Sequence, residues 1–192
     1  MDEISVPLAV EVDPDHNLND LLAARVARDP DGPLMQRKET EDGPWVEISA
    51  RDFEAQVVAV AKGLVARGVE PGDAVGIMSR TRYEWSLLDW AVWAAGAVPV
   101  PLYETSSAEQ VEWICSDAAV TLVVAETPEL TALVESVRGS LPGLREVLTI
   151  DDGAITELER AGAEVADEEI ERRRKIDNLD SLATIIYTSG TT

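Results

Sequence analysis

Asp73-Ala74-Val75-Gly76-Ile77-Met78 and Ala97-Val98-Pro99-Val100-Pro101-Leu102 are the two stretches whose reading decides the fold. Ala74 to Met78 is a short apolar run that fits a buried strand, and Ala97 to Leu102 reads as a second. Between them, Arg82 to Gly96 reads as a helix, with Trp85, Leu88, Val92 and Ala95 at helical spacing. Strand, helix and strand in that order make the repeating unit of a parallel sheet covered by helices. Ligands of such sheets bind beyond the carboxyl ends of the strands.

The alternation continues downstream. Ser106-Ser107-Ala108-Glu109-Gln110 offers two overlapping capping boxes, and Val111, Ile114, Cys115 and Ala118 follow on one helix face. Val120 to Ala125 is a third strand. Thr127 caps a helix with Pro128 at its first position and Leu130, Leu133, Val134 and Val137 as its stripe. Val147 to Ile150 is a fourth strand. Ile155 to Ile176 reads as one densely charged helix. Ala183 to Tyr187 reads as a fifth strand, followed by Thr188-Ser189-Gly190-Thr191-Thr192.

Upstream, Pro71-Gly72 makes a turn and Gly68 stands where a helix-ending glycine belongs. Ser49 and Asp52 form a capping box for a helix with Phe53, Val57, Val60 and Leu64 as its stripe. Leu34 to Lys38 and Trp45 to Ile48 flank Glu41-Asp42-Gly43-Pro44 and read as a hairpin. Asn17 or Asn19 caps a helix ending near Arg28. Residues 1–16 read as an irregular segment and 17–192 as the domain. The fold class expected is α/β: a mostly parallel sheet with flanking helices and a short N-terminal β-hairpin.

Composition narrows the function. The chain has 192 residues, 37 acidic against 16 basic, and a net charge of −21. Such an excess repels phosphate backbones and anionic lipids, which argues against nucleic acid as a partner. One cysteine cannot form an internal disulfide. Met1-Asp2-Glu3 has neither the basic nor the apolar part of a signal peptide, and no apolar run is long enough to span a bilayer. A cytoplasmic protein is expected.

Thr188-Ser189-Gly190-Thr191-Thr192 is the sharpest chemical feature. Hydroxyls and amides can surround phosphate oxygens, and glycine lets the backbone come close. The bland alternative is a polar turn. Gly63 to Gly68 has Walker A spacing, but Val69 stands where lysine is needed, and no G-x-G-x-x-G follows a strand. His16 is the only histidine, so a histidine-rich zinc site is excluded within this chain. Cys115 lies on an apolar helix face with no Lys, Arg or His within four residues, which reads as packing. Trp85, Trp90 and Trp93 also read mainly as core. Glu168, Glu169 and Glu171 pair at i, i+4 with Arg172, Arg173 and Lys175 on a solvated helix. Arg172-Arg173-Arg174-Lys175 offers an alternative attraction for an anion.

Ile185-Ile186-Tyr187-Thr188-Ser189-Gly190-Thr191-Thr192 resembles the opening of the phosphate-binding signature of the adenylate-forming (AMP-binding) enzymes, which continues Gly-x-Pro-Lys-Gly. Gly72 to Trp85 and Ala94 to Gln110 are similar to the corresponding segments of bacterial long-chain fatty-acid CoA ligases. The resemblance runs from Asn17 to Thr192 and implies the N-terminal portion of the AMP-binding domain, cut within its phosphate loop. It implies ATP, Mg²⁺ and coenzyme A as cofactors and co-substrates, with a fatty acid as substrate. It also implies that Thr188, Ser189, Gly190, Thr191 and Thr192 hold ATP phosphates. No catalytic residue and no metal ligand is carried onto this chain. Another adenylate-former, an aryl-CoA ligase or a peptide-synthetase adenylation domain, stays open, as does a non-catalytic α/β binding module. Peripheral membrane contact and a homodimer stay open too.

Overall fold

The computed structural model describes residues 13–188 apart from Glu39 and Glu41. Helix α1 (Leu18–Arg28) is followed by the hairpin β1 (Pro33–Lys38) and β2 (Trp45–Ser49), and then by α2 (Ala50–Ala66). Four β/α units come next: β3 (Ala74–Met78), α3 (Tyr83–Ala94), β4 (Val98–Leu102), α4 (Ala108–Asp117), β5 (Val120–Ala125), α5 (Pro128–Val137), β6 (Glu146–Thr149) and α6 (Ala154–Ala161). Helix α7 (Asp167–Arg173) ends the regular structure. The four strands are parallel in the order β4-β3-β5-β6, and the hairpin is a separate antiparallel pair. The α/β class with its hairpin is therefore as expected.

The pleat explains the two-sided core. All five residues of β3 are buried. Val75 and Ile77 join Leu122 and Val124 of β5 under α2 and α3, where Phe53, Val57, Val60 and Leu64 are fully buried. Ala74 and Met78 join Val123 and Ala125 on the opposite face, under α4 and α5. Each large side chain so placed contributes roughly 1.5–3 kcal/mol of apolar transfer.

The helix starts follow the capping chemistry. Asn17, rather than Asn19, caps α1 through a reciprocal box with Asp20. Asn19 is buried and donates to the Trp93 carbonyl. Ser107 and Gln110 form the box that opens α4, and Thr127 with Pro128 opens α5. Gly68 has a φ of 78°, the left-handed turn that ends α2.

Three expectations are corrected. The single helix from Ile155 to Ile176 is broken into α6, a 3₁₀ turn at Gly162–Glu164, and α7. Gly162 lies against α2, where a Cβ would stand 2.5 Å from the Gly63 nitrogen; a Cβ on Gly63 would stand 2.2 Å from the Leu158 oxygen. Contact with α2 therefore takes precedence over helix continuity.

Nor is Ala183–Tyr187 a strand of the sheet. The Val98 nitrogen donates to the Asp73 carbonyl, so alternate β4 nitrogens face β3 and those of Pro99 and Pro101 face outward. Proline has no N–H, so this edge can accept hydrogen bonds but offers no donors at those positions. The segment makes single bonds to the Pro99 carbonyl, from the Thr184 hydroxyl at 3.0 Å and the Ile185 N–H at 3.3 Å.

The charged helix is also less solvated than its i, i+4 pattern implies. Arg173 is only 4% exposed. It donates to the Val69 and Ala95 carbonyls at 2.7 and 3.2 Å and pairs with Glu169 at 2.7 Å and Glu70 at 3.3 Å. Arg174 reaches Glu54 at 3.3 Å. These cations tie α7 to the start of the sheet, so the anion-attracting alternative for the run is set aside.

Gly63→Ala is expected to destabilise the chain by about 1–3 kcal/mol through overpacking against α6, read as a lower urea midpoint. A second outcome concerns Asp89, whose burial pushes its carboxyl up to about 6. The unfolded chain ionises near the ordinary aspartate value of about 4, so stability falls as pH rises from there to about 6. Asp89→Asn should remove that loss, a gain of about 1 kcal/mol above pH 6 after allowance for partial exposure, with no gain below about pH 4. Urea titrations at pH 4 and 7.5 check both limbs.

Candidate functional site

The strand order makes a crevice. The chain leaves β3 toward β4 on one side and leaves β5 toward β6 on the other, so the carboxyl ends of β3 and β5 flank a topological switch point. Glu126, directly after β5, occupies it and is 5% exposed. Its carboxylate accepts from the Ser79 hydroxyl at 3.0 Å and the Arg80 N–H at 2.9 Å. Arg80 Nε lies 2.8 Å from Oε1, and Arg82 is 3.3 Å away. Arg82 also reaches Glu84 at 2.7 Å and Asp151 at 2.9 Å. Burying a lone carboxylate is costly, and these donors offset that cost. The network joins the ends of β3, β5 and β6 and uses an internal carboxylate where an α/β sheet of this order often receives an anionic ligand. The signal in the sequence was Arg80 and Arg82 immediately after a strand; Glu126 had none, because its partners are more than forty positions away.

The segment that leads to the hydroxyl-rich loop runs elsewhere. Thr188 is described and exposed; Ser189, Gly190, Thr191 and Thr192 lie outside the described residues. The approach to them is pinned at four points. Trp93 Nε1 donates to the Ala183 carbonyl at 2.6 Å, Thr184 and Ile185 donate to Pro99, and the Tyr187 hydroxyl donates to Asp117 at 2.6 Å. The Tyr187 and Trp113 rings meet edge to face at 5.1 Å. Burial and the Asp117 carboxylate push the Tyr187 phenol up to about 12. Trp93 and Asp117 sit near the C-terminal ends of α3 and α4, which lead into the amino ends of β4 and β5. Residues 183–187 therefore cross the β4 edge near the amino ends of the strands, and the expected phosphate-binding residues beyond Thr188 lie outside the described residues.

The remaining candidates are structural. Cys115 is buried, and desolvation pushes its thiol up to about 11, which leaves little thiolate at neutral pH. His16 is exposed beside Asp13 at 3.7 Å. Trp85 and Trp90 pack against the core, with Trp90 edge to face on Phe53. Among the described residues, no group of three or more His, Cys, Asp or Glu is placed to hold a metal ion. No helix among them is long and apolar enough to cross a membrane.

Glu126→Ala is expected to cost about 2 kcal/mol, because it strands the Arg80 N–H and the Ser79 hydroxyl, while Glu126→Gln keeps an acceptor and loses less. Urea midpoints of the two variants check the order.

Comparison with known proteins agrees with this architecture. The long-chain-fatty-acid–CoA ligase FadD15 of Mycobacterium tuberculosis and its counterpart in Mycobacterium bovis are each 43% identical over 195 residues, covering all of this chain and 32% of the relative. The chain thus spans about a third of the length of these curated relatives. Among solved structures, a long-chain-fatty-acid–CoA ligase (FadD1) of Archaeoglobus fulgidus superposes with a TM-score of 0.77 at 20% identity, over 98% of this chain and 37% of that one. The anthranilate CoA ligase AuaEII, in complex with anthranoyl-AMP, gives 0.67 at 22%, over 78% and 28%. At those identities the two structures speak for the fold alone. The family model described as AMP-binding enzyme matches residues 22–192, which takes in the hairpin, the sheet and the hydroxyl-rich end together, and the chain belongs to that family.

Proposed function

We propose that the chain is the N-terminal part of an ATP-dependent, AMP-forming long-chain fatty acid–CoA ligase. The observation that carries this reading is the 43% identity with the FadD15 ligases, sustained along the whole chain. The anthranilate CoA ligase, an aryl-CoA ligase, shares the fold at 22% identity, against the 43% of the FadD15 ligases.

In the proposed reaction, a fatty carboxylate oxygen attacks the α-phosphorus of ATP and pyrophosphate leaves. The thiol of coenzyme A then attacks the acyl carbon and AMP leaves. A carboxylate is a poor acyl donor until one of its oxygens belongs to a good leaving group, and adenylation supplies that. In this reading the hydroxyls and amides of Thr188, Ser189, Thr191 and Thr192 donate to the β- and γ-phosphate oxygens, and Gly190 gives clearance. Its support is the family match, which runs through residue 192. Mg²⁺ would share the phosphate charge. No residue of this chain is assigned to it. General base and nucleophile are not assigned to this chain either. The domain assignment belongs to the same proposal: residues 17–192 form the first portion of the AMP-binding domain, ending within its phosphate loop. In this reading the enzyme works in the cytoplasm, where ATP and coenzyme A are available. A homodimer and peripheral membrane contact form no part of the proposal.

The parent enzyme, given palmitate, ATP and coenzyme A, is expected to form palmitoyl-CoA and AMP in equal amounts. The 192-residue chain alone should form neither. Thr191→Val or Thr192→Val in the parent should lower the rate by about 10²-fold, the usual loss for one donor to developing charge. Acyl-CoA formation by the isolated chain, or an equal rate with benzoate, overturns the reading.

A further inference from the structure

A cleft of about 920 Å³ opens between the β1–β2 hairpin and the loop after β3. Among the described residues it is lined by four cations, Arg37, Lys38, Arg80 and Arg82, and one carboxylate, Glu84. That reverses the balance of a chain with 37 acidic and 16 basic residues. The four cations are not equivalent. Arg82 is engaged by Glu84, Glu126 and Asp151. Arg80 is anchored through Nε to the buried Glu126, yet its side chain is 70% exposed, and its terminal nitrogens make no hydrogen bond among the described residues. Glu126 thus fixes the base of the fork and leaves its tips toward solvent.

Arg37 has the complementary property. Its guanidinium lies 4.6 Å over the Tyr83 ring, and that ring is held by a 2.8 Å hydrogen bond from its hydroxyl to Gln56. Its Nε is buried with no hydrogen-bond partner, and it has no carboxylate partner among the described residues. In so acidic a chain, an arginine held in place with no carboxylate partner among the described residues is a group prepared for an anion from outside. Trp45, 64% exposed, lines the same cleft, with the Lys38 ammonium over its ring at 5.6 Å from the centroid. Planar guanidinium forks match phosphate oxygens in geometry and charge, and an indole face accepts a ring or an alkyl stem.

We infer that this cleft binds a phosphate group through Arg37 and Arg80, with Trp45 against the body of the molecule that carries it. Among the described residues, none from 183 to 188 lines the cleft. The phosphate belongs either to a soluble phosphorylated molecule or to a lipid headgroup, and the recognition chemistry is the same.

The test titrates the 192-residue chain with inorganic phosphate by calorimetry and, in parallel, sediments it with phosphatidylglycerol/phosphatidylcholine vesicles and with phosphatidylcholine alone. Saturable phosphate binding is expected, weakened by about ten-fold in Arg37→Gln and in Arg80→Gln. It should be unchanged in Arg51→Gln, whose partner Asp31 lies outside the cleft. Arg80 is exposed, so its variant carries the test if Arg37→Gln lowers the folded fraction in a thermal melt. Sedimentation with the anionic vesicles alone, lost in the two cleft variants, assigns the phosphate to lipid. Saturation without sedimentation assigns it to a soluble molecule. Neither form of binding, or binding equal in both cleft variants and the parent chain, overturns the inference.

Discussion

Everything in this fold follows from β3 being buried on both faces while paired in parallel on both edges. A parallel strand cannot turn straight back to its neighbour, so each connection must cross the sheet, and here each crosses as a helix. Because Val75 and Ile77 face one way and Ala74 and Met78 the other, helices are needed on both sides. The crossovers to β4 on one side and β6 on the other then create the switch point at β3 and β5. The polar chemistry of the sheet collects there for a topological reason.

Two buried ionic groups hold the layers in register. Arg173 bridges α7 to the carbonyls of Val69 and Ala95, before β3 and after α3. Glu126 bridges β5 to the loop after β3. Each is a charge removed from water, tolerable only because several partners converge on it. One lies near the amino ends of the strands and the other at the carboxyl ends. They orient the sheet relative to its helices at both edges.

Two polar features rest on different parts of this arrangement. Residues 183–187 run along the β4 edge, where Pro99 and Pro101 leave carbonyls available and no matching donors, so the chain is attached by isolated bonds and by the Tyr187–Asp117 contact. The cation-lined cleft instead depends on the hairpin, which brings Arg37 over Tyr83. Side chains far apart in sequence become one surface only because α2 and α3 pack face to face beneath them.

The order of elements was legible in the sequence because short-range rules decide it. The apolar runs at Ala74 to Met78 and Val120 to Ala125 bound strands at those residues, and Asn17, Ser107 and Thr127 start helices because a side-chain oxygen reaches a backbone N–H three residues or fewer away. The family was legible because its motifs are also local. What only tertiary structure decided concerns partners distant in the chain. Gly162 breaks a helix because Gly63 lies against it, Ala183–Tyr187 stays out of the sheet because prolines face it, and Glu126 fills the crevice because Ser79 and Arg80 point there. Periodicity reports which face of an element is apolar; it carries no information about which backbone or charge that face will meet.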